Sequence, residues 1–275
     1  MRPVIAAVTV LLFAGCAVVQ PHRDAVHALS QFEPLAADER VRYEPGAREY
    51  AERVAGLLPA AIAQVEAGHY RPFASPPAVY VCGSEACFER HLSGAARYTA
   101  AVIYDNRLLL APRLFGREPE RLYPILVHEL SHLHLGQRLG HYTMRLPVWF
   151  HEGLASLVAL GGGADLASEE NARRAIAAGE HFLPDAEHDD AGRKNAGHWG
   201  LKIAMFYRQG MLFLAHLKAR GEDRFQELLL ALQERAGFDD VFNAVFGTGA
   251  LELAREYFGS LRCEAPECDA PAAAP

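Results

Sequence analysis

Cysteine is scarce. Five cysteines in 275 residues are too few to build a disulfide-held miniprotein, and a chain of this length can bury a sizeable core without such staples. An excess of basic charge is missing as well. Against 34 Asp and Glu stand 27 Lys and Arg, a formal charge of -7, so no broad basic face awaits a phosphate backbone and nucleic acid is not an expected partner. Apolar runs long enough to span a bilayer are also lacking. Pro3 to Gly15 is too short, and the apolar stretch Gly200 to Arg220 is interrupted by Lys202, Arg208, His216 and Lys218, which reads as a buried core helix. No internal repeat is present. What is there is an ordinary balance, 51% apolar and 22% charged, which excludes a disordered, collagen-like or coiled-coil chain.

The first residues carry a compartment signal. Arg2 is the only charge before the uncharged run Pro3 to Gly15, the pattern of a signal peptide. Its end, Leu12-Phe13-Ala14-Gly15-Cys16, resembles a bacterial lipobox, although Phe13 stands where Leu is more usual. That resemblance implies export, removal of residues 1–15 and acylation of Cys16, which would hold the chain at a membrane surface facing the periplasm. Ala17, in place of an Asp, points to the outer membrane. The other cysteines form two C-x₄-C pairs, Cys82 with Cys87 and Cys263 with Cys268, and an oxidising periplasm favours local bridges among the three connectivities they allow.

Along the chain, the mixed charges and prolines of residues 16–44 read as a tether. Tyr50 to Ala67 places Val54, Leu57, Leu58, Ala61, Ile62 and Val65 at helical spacing, with Pro59 as the place for a kink or break. Ala78 to Cys82, Tyr98 to Ile103 and Leu108 to Ala111 are strand-like, the last two about a turn at Asp105-Asn106. From Pro119 onward nearly everything has helical periodicity, broken at Gly140, Gly161 to Gly163, Pro184 to Gly197, Gly221 and Gly247. The fold class is therefore α+β, a small early sheet followed by a mostly helical remainder.

Among 13 histidines, one arrangement carries chemistry. His128-Glu129-Leu130-Ser131-His132 lies in a segment whose apolar residues, Leu122, Ile125, Leu126, Leu130 and Leu133, mark a helix. Positions i and i+4 share a face, so both imidazoles can reach one ion, with Glu129 one step round to contact a water there. A third ligand cannot come from an extended H-E-x-x-H-x-x-G-x-x-H pattern, because Leu135 and Arg138 occupy the glycine and final histidine places. A glutamate on a following helix fits. Twenty residues after His132 stands Glu152, within Trp149-Phe150-His151-Glu152-Gly153-Leu154-Ala155. Two imidazoles and a carboxylate leave one zinc position open, as catalysis requires.

These two motifs resemble those of the gluzincin zinc metallopeptidases, in particular the peptidase MA-like group, in which H-E-x-x-H is followed by W-x-x-E-G-x-A. The similarity runs from about Ala78 to the helix around Leu253. It implies a zincin-like fold over residues 45–262, with 263–275 as a tail, and zinc held by His128, His132 and Glu152. Glu129 would be the general base in hydrolysis of a peptide or protein substrate. It implies further that Tyr98 to Tyr104 is the sheet edge along the cleft, and that Tyr207 donates to the oxyanion. Ser156, one turn after Glu152, falls where a residue supporting a ligand histidine is expected, though the family often has a carboxylate there. His134, His141 and His151 read as bystanders, His151 because neighbours in sequence point to different helix faces. Two other readings share these residues. One is a non-catalytic envelope lipoprotein that keeps the scaffold for binding, and the other is action on a different amide or on cell-wall cross-links.

Overall fold

The computed structural model describes residues 29–92, 99–104, 106–184, 188–189 and 192–263. The signal segment, Cys16, Tyr98 and Cys268 lie outside the described residues.

Strands come first. β1 (Glu33–Leu35), β2 (Asp38–Tyr43), β3 (Ala78–Val81), β4 (Ala101–Tyr104) and β5 (Arg107–Leu110) form a mixed five-stranded sheet in the order β1-β2-β3-β5-β4. β2, β3 and β5 run parallel, while β1 and β4 pair antiparallel at the two edges. Helix α1 (Arg48–His69) connects β2 to β3, and the short helices α2 (Glu85–Arg90) and α3 (Arg113–Gly116) follow β3 and β5. Then come α4 (Leu122–Leu139), α5 (Val148–Val158) and α6 (Glu169–Ala177), a two-residue pairing of β6 (His188–Asp189) with β7 (Gly192–Arg193), and α7 (Ile203–Arg220), α8 (Glu222–Gln233), α9 (Phe238–Phe246) and α10 (Ala250–Cys263). The expected α+β class, with a small mixed sheet and a helical remainder, is what the chain forms.

Both faces of the sheet are covered, and the pleat sorts the side chains between them. Val41, Val79, Val81, Ala101, Leu108 and Leu110 face the helices of the main core. Tyr80, Val102 and Leu109 face a smaller core with Leu29, Phe32, Phe88 and the Cys82–Cys87 pair. Those two cysteines form the expected local disulfide, tying the end of β3 to α2.

The expectation of a tether over residues 16–44 is corrected across its described part. Leu29 and Phe32 close the second face of the sheet, and β2 is hydrogen-bonded on both sides, to β1 and to β3. Composition hid this. Asp38, Glu39, Arg40 and Arg42 make the segment look like a solvated linker, yet a strand needs only alternate residues inward, here Val41 and Tyr43. Helix α1 passes Pro59 without a break, since Pro59 lies on its exposed side where the carbonyl left unbonded can meet water. α7 is a core helix, and among the described residues no helix is long and apolar enough to cross a membrane.

Helix α4 lies beneath β4 and β5 and is flanked by α1 and α5. Its roll about its own axis is fixed on the side opposite Glu129. There Ser131 Oγ meets the buried His69 at the end of α1 (2.7 Å), and His134 Nε2 donates to the Arg71 carbonyl (3.0 Å). The His69 and His134 rings stack at 4.4 Å. Tyr123 adds a bond to Gln64 of α1 (2.8 Å). These contacts determine where the remaining polar residues of α4 point.

Candidate metal centre

Three buried side chains converge between α4 and α5. His128 Nε2 and His132 Nε2 stand 3.2 Å apart, and Glu152 Oε2 lies 3.2 Å from His132 Nε2 and 3.4 Å from His128 Nε2. α4 supplies the imidazoles because i and i+4 share a face. After Gly140 ends α4 in a positive-φ conformation, the 3-10 turn Gly140–Arg145 and Pro147 reverse the chain, so that α5 returns alongside with Glu152 inward.

The outer nitrogens of the two rings are both engaged. His128 Nδ1 bonds the Gly162 carbonyl (2.9 Å) and His132 Nδ1 bonds His151 Nε2 (3.1 Å). A carbonyl only accepts, so His128 Nδ1 carries the hydrogen and, in the neutral ring, Nε2 presents a lone pair. When His132 Nδ1 likewise donates to His151, two lone pairs and a carboxylate face one point, an arrangement that draws a cation.

The electrostatics agree. Burial opposes charge on His128, but the hydrogen bond and charge of Glu152, with Glu129 nearby, outweigh it and hold the imidazole above its ordinary pKa. Burial alone would raise the Glu152 carboxyl. When the two rings carry a second proton, the charge of His132 and hydrogen bonds from both imidazoles reverse that and hold it well below the usual carboxylate range. His151 is pushed well below the usual histidine value, first by burial and then by the adjacent His132, so it stays neutral and able to accept. His128, His132 and Glu152 thus form a buried group that can hold a metal ion. Two surface grooves, of 480 and 310 Å³, lie elsewhere and are lined by none of these residues.

The other expected site residues fall close by. Glu129 is buried one position round the helix from His128. Tyr207, from α7, is buried with its ring stacked on that of His128, centroids 6.0 Å apart and planes 17° apart. β4, the candidate cleft edge, is indeed an edge strand of the sheet. His134 and His141 take no part: His134 is held by Arg71 and His69, and His141 packs on Tyr142.

Two readings are corrected. His151 is no bystander, because it holds His132. It differs from Glu152 by about 100° around the helix, but both lie on the broad side of α5 facing α4, and His132 reaches across to it. Ser156 supports neither imidazole. Its Oγ is buried without a hydrogen-bond partner among the described residues, and His128 leans instead on a backbone carbonyl that no side-chain motif could announce.

The glycine after Glu152 has a packing reason. A Cβ on Gly153 would stand 2.7 Å from the backbone of Gly210, and one on Gly210 would stand 2.6 Å from the Trp149 carbonyl. α5 and α7 therefore cross in backbone contact, which brings Tyr207 up to the ligands. Compared with known proteins, the chain matches no family model, no curated protein and no solved structure.

Proposed function

We propose that the chain is a zinc-dependent peptidase of the gluzincin type that hydrolyses peptide bonds at the bacterial cell envelope. The observation carrying this reading is the triangle of ligand atoms, 3.2, 3.2 and 3.4 Å on a side. Tetrahedral zinc with bonds of about 2.0–2.1 Å holds neighbouring ligands roughly 3.3–3.4 Å apart, so the residues present fit that ion. His128, His132 and Glu152 would hold it, leaving a coordination position for solvent or substrate. When bound, zinc supplies Lewis-acid polarisation of the scissile carbonyl and acidifies water.

The chain's own groups perform the remaining steps. Glu129, buried beside His128, takes the proton of the attacking water and passes it to the leaving amine. Tyr207 donates to the carbonyl oxygen as it gains charge. Main-chain pairing of an extended substrate with the β4 edge supplies orientation with little regard to sequence. The Cys82–Cys87 disulfide supports an oxidising compartment, in keeping with export and with anchoring through Cys16.

The test uses the purified chain and Glu129→Gln. About one zinc per chain is expected in both, with a mixed peptide library cleaved by the parent and turnover down about 10²–10⁴-fold in the variant. A parent that takes up no ion with all three ligands intact sinks the proposal. Zinc uptake without cleavage by either protein would favour the non-catalytic envelope scaffold instead.

A further inference from the structure

The ligand His128 depends on a backbone carbonyl, and a carbonyl on a turn is only as well placed as the turn. Residues 161–163 are all glycine, and the packing shows why. At Gly163, whose φ is +79°, a Cβ would stand 2.5 Å from both Nδ1 and Cε1 of His128. At Gly162 it would stand 2.4 Å from the Pro124 carbonyl of α4. The turn lies flat against α4 and the His128 ring, closer than any side chain permits, and this is what brings the Gly162 oxygen to 2.9 Å from Nδ1.

Something must press the turn into place. The Arg208 guanidinium of α7 donates through Nε to the Ala167 carbonyl (2.8 Å) and through Nη2 to the Ala164 carbonyl (3.1 Å). It also covers Gly161, where a Cβ would lie 3.0 Å from Nη1. The same helix lays Tyr207, one residue earlier, on the His128 ring.

We propose that Arg208 is a positioning residue of the metal centre: by clamping the 161–167 turn onto α4 it holds the Gly162 carbonyl against His128, and so fixes the imidazole in the tautomer that presents Nε2 to the ion. The inference rests on the zinc reading for its purpose, but the tautomer it predicts belongs to the metal-free protein. Ser156, one turn after Glu152, bonds neither imidazole, so for His128 this support comes from the turn carbonyl.

Arg208→Lys keeps the charge and much of the stem but cannot bond two carbonyls at once. In the chelated protein, at a pH high enough for the His128 ring to be neutral, nitrogen NMR of labelled imidazoles should show the Nδ1–H form for His128 in the parent and a mixture of tautomers in the variant. Zinc affinity, by competition with a chromophoric chelator, should fall about 10–100-fold while the metal-free melting temperature stays close to that of the parent. Gly163→Ala approaches the same contact from the other side and should weaken zinc binding at least as much. A variant pair that keeps the parent tautomer and binds zinc within twofold of the parent overturns the proposal, as does a Lys variant that merely melts lower with the tautomer intact. If the parent binds no zinc, the peptidase reading fails, and the tautomer comparison alone decides whether Arg208 positions His128.

Discussion

Replacing Gly153 by alanine sets two opposed effects against each other, and the structure decides the sign. Helix propensity favours the change by about 1 kcal/mol. Against it, the new methyl would stand 2.7 Å from the Gly210 carbonyl carbon and 3.0 Å from its Cα and oxygen. Carbon pairs settle at about 3.5–4.0 Å, so the backbones of α5 and α7 must part by roughly 0.8 Å or more. The obstacle is main chain on both sides, which cannot turn aside as a flexible side chain would. Overpacking costs about 1–3 kcal/mol, and main chain on both sides places this site in the upper part of that range, about 2–3 kcal/mol, leaving a net loss of about 1–2 kcal/mol, or roughly 2–8 °C in melting temperature for a domain of this size. The displacement moves Glu152, the next residue, so zinc affinity should fall as well. Calorimetry of the chelated protein measures the first effect and chelator competition the second. Gly56→Ala is the control: Gly56 is helical with no neighbour within 4 Å of its added methyl, and it should gain about 1 kcal/mol from propensity alone. If Gly153→Ala melts at or above the parent while Gly56→Ala behaves as expected, the close crossing does not exist and the placement of Tyr207 loses its basis.

Other outcomes follow from single contacts. His69 and His134 are buried and held below the ordinary histidine pKa, mainly by desolvation. The unfolded chain therefore takes up protons near pH 6.5 that the folded chain refuses. Stability should be full above that pH and fall as pH drops below it, by up to about 1.4 kcal/mol per unit for each ring, and a denaturant midpoint flat from pH 7 to 5 would contradict this. His151→Phe leaves His132 Nδ1 without its acceptor and should lower zinc affinity about 10–100-fold, whereas His151→Gln should bind more like the parent. The double change Cys82→Ala, Cys87→Ala opens a loop of sequence separation 5 and should cost about 2 kcal/mol in urea denaturation, with reductant giving a similar loss in the parent.

Much of the candidate site was legible because its signals are local. The i and i+4 imidazoles follow from helical periodicity, and Glu152 from a second motif on the next helix. What escaped was carried by backbone or by packing across elements. The Gly162 carbonyl has no side chain to register in a motif, and Gly161 to Gly163 read in the sequence only as a helix break, because what requires them is the close approach of His128, Pro124 and Arg208. The role of His151 does not follow from helix-face geometry on α5 alone, because its partner His132 reaches over from α4. The fold shows the same division. Val54, Leu58, Ala61 and Val65 announced α1, but β2 hid behind four charged residues, because its place in the sheet comes from main-chain pairing with β1 and β3.

The candidate ligand residues are near neighbours in the chain, His132 and Glu152 being twenty positions apart. Closing so short a stretch carries a small entropic penalty even without the rest of the fold. If the three residues hold zinc as proposed, denatured molecules should also chelate the ion to some extent, competing with native ones for it. Protection by zinc should climb by about 1.4 kcal/mol per decade of free ion at first, then reach a plateau once the concentration exceeds the dissociation constant of the unfolded ensemble.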